Sequence, residues 1–225
     1  MRRRPARRYA APARRGLRTG PPTCLRGAMT EPTSDDAPER TSDPPTEHAA
    51  QVAVLSTGLD QFFALLEEVP ADRAGAPTPC TEWTVADLVD HVVRDVAMFA
   101  VGVRGGTVDW GAATPHQDEP VAAYRRGVAD LLAAWEEHPE AQPGPAWQAA
   151  EVAVHTWDLA TALGRPTDGL EPVVADLGAG FVRAALTPER RGSAFGPEQP
   201  APEGANAYER LAAFAGRRVD RQGVR

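Results

Sequence analysis

A glutamate and a histidine four residues apart, in a helical and mostly apolar stretch, are the residues best suited to chemistry. The stretch Ala150 to Pro166 reads AEVAVHTWDLATALGRP. A period of 3.6 residues places Glu151, His155 and Asp158 within a stripe roughly 60° wide. Because apolar residues flank this stripe, its polar side chains are predicted to face the interior, where charged groups must be paired, hydrogen-bonded or metal-bound. The Glu-x-x-x-His spacing places two ligands of one divalent ion on one helix face.

The Glu-x-x-x-His pair alone is weak evidence for a metal, because a simple hydrogen bond between the two side chains explains it as well. A second predicted helix carries His91 at the border of its apolar stripe. His91 alone is more typical of a boundary core histidine, but two such helices together favour a shared site in a chain with five histidines. The other three lie at the ends of predicted elements or in loops and are interpreted as surface residues: His48, His116 and His138.

Amphipathic segments separated by loops rich in proline and glycine form the scaffold that must position these residues. Aromatic residues make up only 6% of the chain and alanine is abundant, which favours helix packing. Helices are predicted at 48–69, 84–103, 119–138, 146–163, 171–186 and 207–216. Thr84 and Asp87 predict a capping box for the second helix, and Gly164 and Pro166 end the fourth. The sequence therefore predicts an all-α four-helix bundle with one or two additional C-terminal helices.

Charge divides the chain near residue 28. Residues 1–28 contain nine arginines and no acid, whereas the other 15 arginines accompany 31 acidic residues, a formal net charge of −16. We call residues 1–28 the basic head and residues 29–225 the body. The acidic charge of the body argues against a nucleic-acid partner. The basic head could be a transit-like peptide or an RNA-binding arm, but it lacks an amphipathic period, so we favour a translation start at Met29. Residues 1–46 are predicted to be disordered or untranslated, 47–218 to form the bundle, and 219–225 to fray.

The sequence also predicts a soluble protein. We find no apolar run near the roughly 18 residues of a membrane span and no signal-peptide core after the arginines, so we expect a cytoplasmic protein without a membrane partner. Cys24 lies in the basic head, so the body has only Cys80 and no internal disulfide is expected. We interpret Cys80 as a buried, unreactive thiol.

Three passages resemble the DinB-like superfamily and, within it, the metal-binding domain of mycothiol-dependent maleylpyruvate isomerase. They read PTPCTEWTVADLVDHVVRDVAMFA, EVAVHTWDLATALGRP and SAFGPEQPAPEGANAYERLAAFAGR, and the resemblance covers residues 48–218. It implies that His91, Glu151 and His155 ligate a divalent metal. We expect zinc, although nickel, iron and manganese suit the same donors. Two histidines and one carboxylate leave a coordination position open, as in catalytic zinc sites.

The resemblance implies a metal-dependent thiol transferase or isomerase-like enzyme that uses a small thiol such as mycothiol on an electrophilic substrate. Asp158 would act as a catalytic proton acceptor or as a hydrogen-bond partner of a ligand, and a helix-boundary salt bridge is an equally good interpretation. The isomerase reaction itself is not carried over. The connection between the third and fourth helices is short, and residues 171–225 cannot supply the isomerase's fuller C-terminal domain.

Two alternatives stay open. In the first, the chain is a metal- or small-ligand-binding bundle without turnover that acts through a homodimer. In the second, it is a structural bundle that binds no metal. Four further residues have two interpretations each. Trp83 and Trp157 either pack the bundle or face a substrate. Arg94 and Arg165 either receive an anionic substrate group or remain solvated.

Overall fold

The computed structural model describes residues 44–81, 83–187, 191 and 195–220, and in these ranges the chain is all-helical. A short 3-10 turn at Ala71–Arg73 precedes α2. The α-helices are α1 Pro44–Glu67, α2 Val85–Val103, α3 Pro120–Glu137, α4 Pro145–Leu163, α5 Pro172–Ala185 and α6 Ala207–Phe214. In place of strands, the described ranges contain an isolated bridge between Pro77 and Thr84. The prediction of an all-α bundle with additional C-terminal helices is confirmed.

Helix α4 is the central element. It packs against α1, α2, α5 and α6, while α2 also packs against α3. Every residue from Trp147 to Ala160 is therefore buried, polar ones included. One apolar core fills the bundle of α1 to α4, and a second joins α4 to α5 and α6. The largest fully buried side chains are Trp135, Tyr124, Tyr208, Phe62 and Phe99.

The helix ends follow local sequence signals. Thr84 Oγ1 accepts a hydrogen bond from the backbone N–H of Asp87, and Asp87 Oδ2 accepts one from the Thr84 N–H, so the predicted capping box is present. Gly164 ends α4 in the left-handed conformation at φ +67°, where glycine has no steric cost. Proline occupies the first turn of α3, α4 and α5, where its missing N–H costs no helical hydrogen bond.

Helix α1 differs most from its prediction. It begins at Pro44 instead of residue 48, so its first turn overlaps the segment predicted to be disordered. Proline is tolerated there because the first amides of a helix have no intrahelical acceptor. The helix ends at Glu67 instead of residue 69. Val69 lies in the tight turn that follows, where its N–H donates to Leu66 O. The predictions for residues 1–43, including the start at Met29 and Cys24, and for residues 221–225 lie outside the described residues.

By length and composition, α1 is also a candidate membrane span. The segment Thr46–Glu67 reaches a mean hydropathy of 1.3, so the expectation that no stretch would qualify was wrong on that criterion. Core helices of soluble proteins satisfy the same test. Of this segment 28% is buried, and Leu55, Leu59 and Phe62 are fully buried against the other helices.

Helices α4 and α5 approach each other closely at a glycine. A Cβ atom at Gly178 would lie 2.6 Å from Ala150 Cα and 3.0 Å from Ala150 N. Both distances are far below van der Waals contact, so only glycine fits there without a backbone shift. This crossing point lies immediately before Glu151 in the chain and thus helps to set the position of that side chain.

Candidate metal centre

The three predicted ligands come together between two helices. His91 lies in the middle of α2, and Glu151 and His155 lie one turn apart on α4. One donor atom from each residue lies within 4.8 Å of the other two, and all three residues are buried. Since α2 and α4 are adjacent helices, the crossing of the two brings together residues 60 or more positions apart in sequence.

Two of these donor atoms are not satisfied by the protein. Glu151 Oε2 and His155 Nε2 lie 3.3 Å apart, yet neither has a hydrogen-bond partner of good geometry among the described residues. A buried polar atom without a partner costs about 1–3 kcal/mol. Imidazole nitrogen and carboxylate oxygen are ordinary ligands of divalent metals. The pair, with His91 beside it, therefore fits a divalent cation.

Asp158 holds the other side of His155. Its Oδ2 lies 3.1 Å from His155 Nδ1, and Arg217 donates to both carboxylate oxygens, with Nε 3.3 Å from Oδ1 and Nη2 3.0 Å from Oδ2. Asp158 has no solvent exposure. Burial acts to raise the pKa of Asp158, but the charges of Arg217 and His155 outweigh it, so the pKa is lowered and the group stays ionised.

The same carboxylates act on His155. Burial acts to lower the pKa of this imidazole, while Asp158 and Glu151 beside it raise the pKa to about 10. Without a metal, His155 therefore carries a proton at neutral pH. A divalent metal held by His155 would displace one of its ring protons, as is general for histidine ligands.

A second carboxylate, not predicted from the sequence, borders His91. Asp95 Oδ2 lies 3.3 Å from His91 Nε2, and Asp95 Oδ1 accepts from Arg94 Nη1 at 3.1 Å. The spacing from His91 to Asp95 is again four residues, the same signal that identified the pair on α4, and it could have revealed Asp95. Arg94 is buried and also donates to Asp109 O at 2.8 Å. The interpretation of Arg94 as a solvated side chain is therefore wrong. Arg165 is exposed and pairs with Glu68.

Aromatic and aliphatic side chains enclose the cluster. The ring of Trp83 lies 4.5 Å from that of His91 and 5.9 Å from that of His155, so Trp83 packs directly against the candidate ligands. Trp157 instead lies in the core shared with α5 and α6. A small pocket opens beside the cluster. Besides His91, Glu151 and His155, its lining consists of Val92, Asp95, Val96, Phe99 and Val152.

The remaining histidines do not join the cluster, and each is partly exposed. His48 packs its ring against Trp135 at 5.3 Å, and His116 Nδ1 lies 2.8 Å from Asp90 Oδ2. His138 follows the last turn of α3. Cys80 is buried, as predicted.

Comparison with known proteins identifies the family of the chain. The family model described as the mycothiol maleylpyruvate isomerase N-terminal domain matches residues 55–160, a range that includes the whole cluster. Uncharacterized proteins of Mycobacterium tuberculosis, from strains CDC 1551 / Oshkosh and H37Rv, are each 35% identical over 171 residues, covering 71% of this chain and 93% of the relative. No solved structure matches the chain. The chain thus belongs to the family of the mycothiol maleylpyruvate isomerase N-terminal domain.

Proposed function

We propose that this protein binds one divalent metal through His91, Glu151 and His155 and is a metal-dependent thiol S-transferase or isomerase-like enzyme that uses a small thiol of the mycothiol type. The observation that carries the proposal is the pair of unsatisfied buried atoms, Glu151 Oε2 and His155 Nε2. They lie beside a third donor, within 4.8 Å. Without a bound cation, the two atoms are compensated by their mutual ion pair at 3.3 Å, which lacks the geometry of a hydrogen bond.

The donor set also indicates the chemistry. His91, Glu151 and His155 would hold a divalent cation through two imidazoles and one carboxylate, and the cation would lower the pKa of a thiol or water that binds to it. The side chains of Val96, Phe99 and Val152 make part of the pocket lining apolar, and electrostatic effects are stronger in apolar surroundings. We propose zinc as the metal and an electrophilic small molecule as the second substrate.

Asp158 supports the site by holding His155. It does not line the pocket, and its oxygens are occupied by Arg217 and His155. This arrangement favours the role of a hydrogen-bond partner that fixes the imidazole. Its participation in proton transfer stays a prediction. We further propose that the protein acts in the cytoplasm, has neither nucleic-acid nor membrane partners, and forms a homodimer.

Metal content tests the first part of the proposal. Protein purified without a histidine tag or chelator should contain about one equivalent of divalent metal by elemental analysis. His155→Ala and Glu151→Gln should lose it, whereas His138→Ala, outside the cluster, should retain it. Metal-free wild-type protein that stays metal-free after incubation with zinc, cobalt, nickel, iron or manganese would refute the site.

Thiol chemistry tests the second part. A small thiol should change the visible spectrum of the cobalt-substituted protein and should be consumed with a model electrophile, and both effects should be absent in His155→Ala. A spectral change without consumption would instead support the non-catalytic metal- or ligand-binding bundle. The size of the pocket favours that alternative. Its cavity volume of about 10 Å³ is far below the roughly 300–1,000 Å³ of common small-molecule sites.

A further inference from the structure

A buried arginine from the C-terminal segment reaches the candidate metal centre. Arg217 follows α6 and is only 5% exposed. It lies well beyond residues 55–160, which the family model matches. Its guanidinium contacts both oxygens of Asp158, which in turn contacts His155 Nδ1. Arg217, Asp158 and His155 thus form a buried hydrogen-bond network between two separate parts of the chain. The network ends at His155, a candidate metal ligand.

The turn after α6 is built to point Arg217 inward. Gly216 has a φ of +88°, a conformation that a residue with a side chain rarely adopts. A Cβ at this position would also lie 2.7 Å from Gly196 O. The Arg217 N–H donates to Ala212 O at 2.9 Å, and Nη1 donates to Ala215 O at 3.1 Å. The backbone of the turn and the guanidinium are therefore held together.

We infer that Arg217 is a positioning residue of the candidate metal centre, acting on His155 through Asp158. This inference rests on the proposed function. Two contacts from the planar guanidinium fix the plane of the carboxylate. With Asp158 fixed, the imidazole of His155 is oriented with Nδ1 towards the carboxylate and Nε2 towards Glu151. Hydrogen bonds of this kind set the tautomer and ring orientation of metal-binding histidines.

A purely structural role makes a different prediction. If Arg217 only compensates the buried charge of Asp158, its replacement lowers the free energy of unfolding, but the folded protein binds metal as before. If Arg217 positions His155, the folded variant binds metal more weakly. Metal affinity of the folded state separates the two roles, and global stability alone does not.

The test compares two pairs of variants. Arg217→Lys keeps the charge but loses the two-point contact, and Arg217→Met removes both. Arg210→Lys and Arg210→Met are the matched controls, because Arg210 lies on α6 but is half-exposed and pairs with Asp176. Cobalt affinity is measured by competition with a chelator, after circular dichroism has established the folded fraction. We expect about tenfold weaker binding for both Arg217 variants, at the lower end of the 10- to 100-fold effect of such partners, and no change for Arg210.

Two further measurements keep the inference testable. If Arg217→Met does not fold, Gly216→Ala displaces the arginine without changing it and should weaken cobalt binding in the same direction. In the zinc-loaded wild type, nitrogen NMR should show His155 protonated at Nδ1, and this signal should shift in Arg217→Lys. Unchanged affinity and an unchanged signal would overturn the inference alone. Failure of the wild type to bind cobalt would overturn the proposed function and the inference with it.

Discussion

Replacement of Gly178 by alanine should destabilise the protein although alanine is the better helix former. Gly178 lies within α5, where the change by itself would favour the helix by about 1 kcal/mol. Its new Cβ would lie 2.6 Å from Ala150 Cα, 3.0 Å from Ala150 N and 3.1 Å from Ala150 Cβ. Two of these three atoms are backbone, which cannot rotate away, so α4 and α5 must separate.

The same helix offers a matched control. Gly180, two residues further on in α5, is exposed, and a Cβ there would have nothing within 4 Å. Gly180→Ala should therefore gain about 1 kcal/mol from helix propensity. Gly178→Ala has the same gain but also an overpacking cost, which is typically about 1–3 kcal/mol. The two variants should differ in the free energy of unfolding by roughly that cost.

Urea denaturation followed by circular dichroism measures the difference. Gly178→Ala should unfold at a lower urea concentration than wild type, and Gly180→Ala at a higher one, with similar slopes. Because Ala150 precedes Glu151, separation of α4 and α5 should also weaken metal binding in Gly178→Ala but not in Gly180→Ala. Equal stabilisation by both substitutions would refute the argument, since it would mean that the two helices do not touch at Gly178.

Three more predictions concern other parts of the molecule. Zinc at a free concentration 100 times its Kd should stabilise the wild type by about 2.7 kcal/mol in thermal melts, and Glu151→Gln should abolish this effect; an equal shift in the variant would exclude Glu151 as a ligand. Tyr124→Phe should cost about 1 kcal/mol in urea, because the hydroxyl donates to Leu59 O at 3.1 Å, and an unchanged midpoint would contradict this. Burial raises the pKa of the Tyr124 hydroxyl well above its ordinary value of 10.0, so its contribution is complete below that pH and is lost as the pH rises above it. Wild type should thus lose stability above about pH 10 more steeply than Tyr124→Phe. Thr84→Ala should lower the melting temperature by removing about 1 kcal/mol of helix capping, and Asp87→Asn, which keeps an acceptor, should have a smaller effect.

Local sequence determined the helices of this protein. Hydrophobic period, capping residues and the positions of proline and glycine act within a few residues of chain, so they predicted α2 to α6 within about two residues. The Glu-x-x-x-His pair on α4 was readable for the same reason, because residues four apart share a face of any helix. The start of α1 was missed because proline in a first turn looks the same as proline in a loop.

Only the tertiary structure decided which distant side chains meet. The placement of His91 beside Glu151 and His155 depends on how α2 crosses α4, which helix period does not specify. The family resemblance, and not the period, predicted that these three residues meet. Arg217 is 59 residues from Asp158 and reaches it through the left-handed turn at Gly216, and no spacing rule connects the two. Burial of all these polar groups likewise depends on the helices that surround α4 on its several sides. Short-range periodicity therefore specifies the elements and one helix face, while the centre itself forms from long-range packing.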